Sequence, residues 1–200
     1  MRGVFVLPLY PLQDVVLLPG ERCTLAAAGA PLRAIVERAR EFGGAVVASL
    51  ADGESVHEIG VTAIVSGETE SERSLFGVSR CRLLSLVSED VPIVRAERFP
   101  EVPAAEQRQA TVARLLHTRY HRLRLRVGRE TTHVPAQDLT ALTWKVTAEL
   151  GLPAEQQQGF LNVPDPLTRG RLLLVALREL ERRERFLQPW AHLRTTTPWN

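Results

Sequence analysis

The chain has little of what several large classes of protein require. Of its 25 basic residues only Lys145 is a lysine. Lys145 is therefore the one residue that could serve as the lysine of a phosphate loop or of a serine–lysine dyad. Its two cysteines, Cys23 and Cys81, lie outside any C-x-x-C spacing, which excludes the usual zinc and redox motifs. No apolar run approaches the roughly 20 residues that span a bilayer, and no secretory signal is found. We therefore expect a cytoplasmic protein with two buried, unpaired thiols.

The composition is that of an ordinary globular protein. The 200 residues are 44% hydrophobic and 24% charged, with a formal net charge of +2. This length suits one large domain or two small ones. The net charge is too small to indicate a polyanionic partner by itself. We expect no cofactor, because no glycine-rich loop, nucleophile elbow or paired-carboxylate spacing is present.

The first half of the chain has the pattern of a β-rich module. Short β-branched segments separated by turn residues predict strands at Val4–Leu9, Asp14–Leu18, Ala45–Leu50, Gly60–Val65, Ser74–Val78, Cys81–Ser88 and Pro92–Glu97. One helix interrupts them at Ala30–Glu41, before Gly43-Gly44.

The second half has helical periodicity. Helices are predicted over Ala104–Val127, Gln137–Leu150 and Ala154–Leu161, and a last one is capped by Asp165-Pro166. The change near residue 101 predicts an α+β chain with a β subdomain at 1–101 and a helical subdomain at 102–200.

The most informative segment is Pro8–Gly20, with the order P-L-Y-P-L-Q-D-V-V-L-L-P-G. Proline cannot donate to a ladder, so Pro8 and Pro11 restrict their strand to an edge, a strand start or a bend. The unalternated run Val15–Leu18 is typical of a strand covered on both faces. Pro19-Gly20 has the residues that a type II turn requires.

Together with three later segments, this order resembles the N-terminal domain of Lon proteases. The later segments are Ile59–Ile64 (I-G-V-T-A-I), Gly77–Leu83 (G-V-S-R-C-R-L) and Leu150–Gln158 (L-G-L-P-A-E-Q-Q-Q). A leucine-rich helix after Asp165-Pro166 is similar to that family's last helix, so the resemblance covers about residues 4 to 188. Thr24–Pro31 departs from the family's usual sequence, and Gln157 replaces a lysine.

The resemblance implies a PUA-like β-barrel or half-barrel followed by a helical bundle. It also implies a non-catalytic module that recognises polypeptide segments or a protease partner. Full-length Lon proteases add an ATPase and a peptidase domain, whereas this chain contains no G-x-x-x-x-G-K-[ST] and we expect a stand-alone form. Lys145 falls mid-helix without a glycine loop, and we expect it to be solvated.

We expect a peptide to bind in a cleft between the β-module and the helices, lined by Tyr10, Leu12, Phe76 and Arg80. Tyr10 and Phe76 are large apolar groups near strand ends, and Arg80 has the charge to meet a carboxylate. The alternative is that all four are core or salt-bridge residues, and this is favoured for Phe76. The sequence does not predict an oligomeric state.

Two other patterns have mainly structural interpretations. His117 and His121 have the spacing of two zinc ligands on a helix, but no third ligand follows at a motif spacing, so surface histidines are favoured. The arginine-rich run of residues 114–129 spreads around the polar arc of its helix, which favours a solvated face with salt bridges to Glu130 or Glu106. An RNA-binding protein with a PUA-like fold is the alternative function, and nucleic acid is the less favoured partner.

Overall fold

The structure is a computed structural model that describes residues 3–25, 30–67, 73–88, 90–102, 105–126 and 138–187. These described residues form seven strands: β1 (Val4–Leu12), β2 (Arg22–Thr24), β3 (Ala45–Asp52), β4 (Ser55–Val56), β5 (Ile59–Ser66), β6 (Ser74–Ser88) and β7 (Ile93–Arg98). The same residues form five helices: α1 (Ala30–Arg40), α2 (Glu106–Arg126), α3 (Leu139–Glu149), α4 (Ala154–Asn162) and α5 (Pro166–Leu187). The α+β class is confirmed. The chain divides into two units: unit 1 is 1–101 with 153–164, and unit 2 is 102–152 with 165–200.

Unit 1 is built on a mostly antiparallel seven-stranded sheet in the order β1-β7-β6-β5-β3-β4, with β2 added beside β6. Residues Val4–Pro8 of β1 pair antiparallel with β7, whereas Leu9–Leu12 pair in parallel with β3. The change of partner falls at Pro8, which has no N–H to donate. The pairings thus return from β3 to β1, which is compatible with the predicted barrel or half-barrel.

The predicted strand at Asp14–Leu18 is wrong. Val16, Leu17 and Leu18 are buried, but this segment joins no ladder. It instead crosses β6 at Gly77, where an added Cβ would lie 2.3 Å from the Leu18 carbonyl oxygen. The apolar run therefore correctly indicated that this segment is buried, but not that it is a strand. A segment forms a strand only when its backbone also has a partner with which to hydrogen-bond.

The predicted turn after this segment is confirmed. Gly20 has φ of +81°, and the Glu21 N–H donates to the Leu18 carbonyl over 3.1 Å. Further along, the two strands predicted at Ser74–Val78 and Cys81–Ser88 form one irregular strand, β6. The short strands β2 and β4 were not predicted, because two or three residues carry too little periodicity to detect.

The segment Pro153–Pro164, which contains α4, belongs to unit 1 although it lies between helices of unit 2 in the sequence. Within unit 1, Gln158 is buried and its Nε2 donates to the Ile59 carbonyl of β5 over 2.8 Å. The boundary predicted at residue 101 does not account for the presence of 153–164 in unit 1, because helical periodicity does not indicate which element a helix packs against.

Unit 2 contains α2, α3 and α5, and its predicted caps are present. The Asp165 carboxylate accepts from the backbone N–H groups of Leu167 and Thr168 and from the Thr168 hydroxyl. Burial alone would raise the pKa of Asp165, but these hydrogen bonds and the charge of Arg169 lower it below its ordinary value. Gly151 has φ of +60° after α3, as expected of a glycine that ends a helix. Within the part of the chain that the structure describes, no helix has the length and apolar character needed to cross a membrane.

Candidate functional site at the open end of the sheet

One face of the sheet in unit 1, called here the inner face, carries a buried core. Its members are the apolar side chains of Leu9, Val47, Cys81, Val94 and Ala96. They come from β1, β3, β6 and β7, so the core joins strands that are far apart in the sequence.

Strand register places four further residues on the same face. Thr62 lies opposite Val47, and Ile64 follows Thr62 by two residues. Phe76 lies opposite Ile64, and Ser79 lies opposite Thr62. Because directly opposite residues share a face and side chains alternate along a strand, these four positions continue the inner face beyond its core.

These four residues, called here the open end, are accessible to solvent. Ile64 is 41% exposed and Phe76 is 40% exposed, whereas Val47 and Cys81 are 0% exposed. The Thr62 hydroxyl lies 2.9 Å from that of Ser79 and 3.0 Å from the Ser79 carbonyl. The open end therefore combines two large apolar groups with a small polar margin.

A sheet edge adjoins the open end. Strand β2 pairs with β6 through Arg22 opposite Phe76 and Thr24 opposite Ser74. Among the described strands β2 has no second neighbour. A strand with one unpaired side presents backbone donors and acceptors that an extended peptide can use.

Of the four residues predicted to line a peptide site, two lie in the core of unit 1. Tyr10 is 3% exposed and Leu12 is 6% exposed, on the half of β1 that pairs with β3. Burial raises the pKa of the Tyr10 hydroxyl above its ordinary value. Phe76 is at the surface, so the core position favoured for it from the sequence is wrong.

The fourth, Arg80, is buried and bound within unit 1. Its side chain is ion-paired with Glu101 over 3.0 Å, and Nη1 donates to the carbonyls of Leu161 and Val163 over 3.0 and 2.8 Å. Its guanidinium also lies 4.7 Å from the centre of the Phe99 ring. Burial lowers the pKa of Arg80 and Glu101 opposes that effect; an arginine remains charged in either case. Arg80 thus holds the end of α4 and the residue after it, and its charge is matched by Glu101.

A depression of about 410 Å³ lies elsewhere in unit 1. It is lined by His57, Glu58, Ile59, Arg82, Phe99 and Asn162. The charges in it are matched, because Arg82 Nε lies 3.1 Å from the Glu58 carboxylate. This depression suits an apolar ligand less well than the open end does.

The nucleophile and metal candidates do not form a site in the described residues. Burial raises the pKa of Cys81 to about 12 and also raises that of Cys23, so both thiols are protonated at neutral pH. The rings of His117 and His121 stack 6.2 Å apart, and no group of three metal-ligating side chains occurs in the part of the chain described. Lys145, which was expected to be solvated, is 33% exposed and is ion-paired with Glu149 over 3.2 Å.

Sequence reasoning missed Ile64, Thr62 and Ser79. The only signal in the sequence was the alternation of β5, in which Thr62 and Ile64 share a face. That signal does not show that Phe76 lies opposite Ile64, since register depends on the bulge between Thr62 and Ala63.

Comparisons of the sequence and of the fold with known proteins lead to the same family. Residues 6–179 match the family described as the ATP-dependent protease La (LON) substrate-binding domain. The fold is similar to the N-terminal domain of Mycobacterium avium complex Lon protease, with a TM-score of 0.67, 19% identity, and 87% of this chain and 98% of that chain covered. It is also similar to a Lon N-terminal domain protein from Xanthomonas campestris, with a TM-score of 0.64, 20% identity, and coverage of 86% and 98%. No curated protein matches the chain.

Proposed function

Because the chain belongs to the family of the LON substrate-binding domain, we propose that it is a non-catalytic module that binds polypeptide. The ligand in this proposal is an extended segment with apolar side chains, either in a protein substrate or in a protease partner. The proposal includes the cytoplasmic location expected from the sequence.

The observation that carries the proposal is the exposure of Ile64 and Phe76 beside a buried core. Fully burying a side chain of this size contributes about 1.5–3 kcal/mol, and these two are still partly exposed. An apolar residue of a peptide placed between them would bury the remaining area. The free edge of β2 would at the same time pair with the backbone of that peptide.

The absence of catalytic motifs is consistent with a binding role. The sequence has no G-x-x-x-x-G-K-[ST], and its one lysine is paired with Glu149. A serine–lysine dyad requires a desolvated lysine beside a serine, whereas Lys145 is partly exposed and lies beside the Glu149 carboxylate. Peptide-bond hydrolysis is therefore no part of the proposal.

The test is fluorescence anisotropy with labelled, reduced and carboxymethylated α-lactalbumin, which has no folded structure to compete with binding. We expect Ile64→Thr/Phe76→Thr to weaken binding about tenfold, which corresponds to about 1.4 kcal/mol. The matched control is Val4→Thr/Val6→Thr, because these two valines are also exposed on a strand and face the other side of the sheet.

The control should bind within twofold of the unaltered chain. Equal losses in the two double variants would place binding outside the open end. If the unaltered chain fails to bind the probe, polypeptide binding itself is contradicted.

A further inference from the structure

Charge is divided unequally between the two units. Unit 1 has 10 Lys and Arg and 15 Asp and Glu, a formal net charge of −5. Unit 2 has 15 Lys and Arg and 8 Asp and Glu, a formal net charge of +7. The formal net charge of +2 for the whole chain is therefore the sum of an acidic unit 1 and a strongly basic unit 2.

In α2 the basic residues include one row along the helix. Arg108, Arg119, Arg122 and Arg126 fall within about 60° of one another at 3.6 residues per turn. At a rise of 1.5 Å per residue the α2 row is about 27 Å long. Three of its members, Arg119, Arg122 and Arg126, lie in the 114–129 run that was expected to spread around the polar arc, and Arg114 and Arg124 do lie elsewhere on that arc.

A second row with the same kind of spacing runs along α5. Arg171, Arg178, Arg182 and Arg185 also fall within about 60° and extend for about 21 Å. All four are exposed.

Contacts within unit 2 place the two rows on the same side. Arg119 of the α2 row lies 3.4 Å from the Glu181 carboxylate, and Arg185 of the α5 row lies 3.8 Å from it. The helices approach closely, since an added Cβ at Gly170 would lie 2.8 Å from Val112 Cγ1. The contacts Val112–Gly170 and Arg119–Glu181 follow one another in the same direction along both helices, so α2 and α5 are parallel. The two rows therefore lie side by side and form one surface, called here the arginine face. Among the described residues Glu181 is the acidic partner of this face, and the predicted salt bridge with Glu106 is not formed. The other predicted partner, Glu130, lies outside the described residues.

Most of this face lacks compensating charge. Six of its eight arginines form no ion pair among the described residues: Arg108, Arg122, Arg126, Arg171, Arg178 and Arg182. Glu181 is shared between the other two. Guanidinium groups bind phosphate through two parallel hydrogen bonds, so a phosphate-rich partner complements this surface.

We propose that the arginine face of α2 and α5 binds the phosphate backbone of a nucleic-acid duplex without reading its sequence. The axes of packed helices lie about 8–10 Å apart, which sets the approximate spacing of the two arginine rows. This spacing is comparable with the roughly 12 Å width of a major groove, which separates the two phosphate backbones that border it. The Phe, Tyr and Trp side chains of α2 and α5 are Tyr120, which is buried, and Phe186, which is 75% exposed one turn after Arg182. One exposed ring is too few to stack successive unpaired bases, which favours a duplex over a single strand. This inference is independent of the open end in unit 1.

The test measures binding of the full chain to a labelled 20-base-pair DNA duplex and to an RNA duplex of the same sequence. About six phosphate contacts predict a loss of affinity of roughly 1,000-fold between 50 and 200 mM salt. Binding to one duplex only would identify which helix geometry the face accepts. Absence of binding to both at 50 mM salt would overturn the proposal.

The variant is Arg122→Gln/Arg178→Gln, which removes one guanidinium from each row. We expect at least a tenfold loss of affinity at 50 mM salt and a salt slope smaller by about 2. The control is Arg98→Gln/Arg114→Gln, which removes two exposed charges outside the rows and should change affinity less than about twofold.

Equal losses in variant and control would show that net charge alone acts, and would overturn the assignment to this face. Equal binding of polyglutamate would overturn the assignment to nucleic acid in favour of an acidic polypeptide. At 200 mM salt, which screens the arginine face from this acidic probe, binding of carboxymethylated α-lactalbumin at the open end should be unchanged by Arg122→Gln/Arg178→Gln, so the two proposals fail separately.

Discussion

The two units of this chain differ in the surface that each offers to a partner. Unit 1 is acidic and presents apolar side chains and a sheet edge, whereas unit 2 is basic and presents two rows of arginines on parallel helices. Whole-chain composition averages these into an unremarkable net charge. The difference shows that charge should be assessed on each structural unit, because binding responds to local potential.

The units also use a buried arginine differently. Arg80 in unit 1 has a carboxylate partner and donates to backbone carbonyls of a segment more than 80 residues away. Arg169 in unit 2 is 0% exposed, donates to the Thr143 hydroxyl over 2.9 Å, and lies 3.5 Å from the centre of the Trp144 ring. Arg80 thus binds the end of α4 to strand β6, whereas Arg169 of α5 binds that helix to α3.

The largest expected effect concerns Arg80. Arg80→Leu leaves Glu101 without its cation and removes the donor of the Leu161 and Val163 carbonyls, so unfolding should become easier by about 3–5 kcal/mol. Hydrogen exchange would locate the loss, which we expect among the amides of α4. The control is Arg82→Leu, where partly exposed ion pairs should cost about 1 kcal/mol or less. Equal loss of protection in α2 and α5 would break the comparison between the units.

The second prediction concerns pH and unit 1, which contains both cysteines. The pKa of Cys81 is about 12 when folded against an ordinary value near 9. Above pH 9 the unfolded chain loses this proton while the folded chain keeps it, so stability falls as pH rises toward 12. The loss at pH 11 should be roughly 2–3 kcal/mol.

Denaturant unfolding of the chain and of Cys81→Ala at pH 8 and pH 11 would measure this effect. The variant should lose less stability than the parent over that interval, whatever its stability at pH 8. Parallel pH profiles for the two proteins would show that another group causes the loss.

A smaller effect is expected at Gly20. Its φ of +81° is strained for a β-branched residue, although no atom stands within 4 Å of an added Cβ. Gly20→Val should therefore destabilise unit 1 by about 1–2 kcal/mol through the backbone alone. Gly159→Ala is a control of opposite sign, since it lies in α4 with open space and should stabilise by about 0.5–1 kcal/mol. Unchanged thermal unfolding of Gly20→Val would contradict the turn assignment.

Much of the architecture was predictable from local chemistry. The five helices follow from apolar periodicity and from caps such as Asp165-Pro166, and the turn at Pro19-Gly20 follows from the φ that each residue adopts. The family was indicated by four segments in order. These features depend on residues a few positions apart, and their energies are local.

Tertiary structure alone decided the rest. It made Val16–Leu18 a buried crossing instead of a strand, returned 153–164 to unit 1, and placed Arg80 inside instead of in a binding site. It also placed Phe76 opposite Ile64 and the α5 row beside the α2 row. Each of these outcomes joins residues distant in the chain, where the free energy depends on which partners meet. Local pattern determines the helices and the longer strands of this protein, and only packing determines the surfaces that those elements present to a partner.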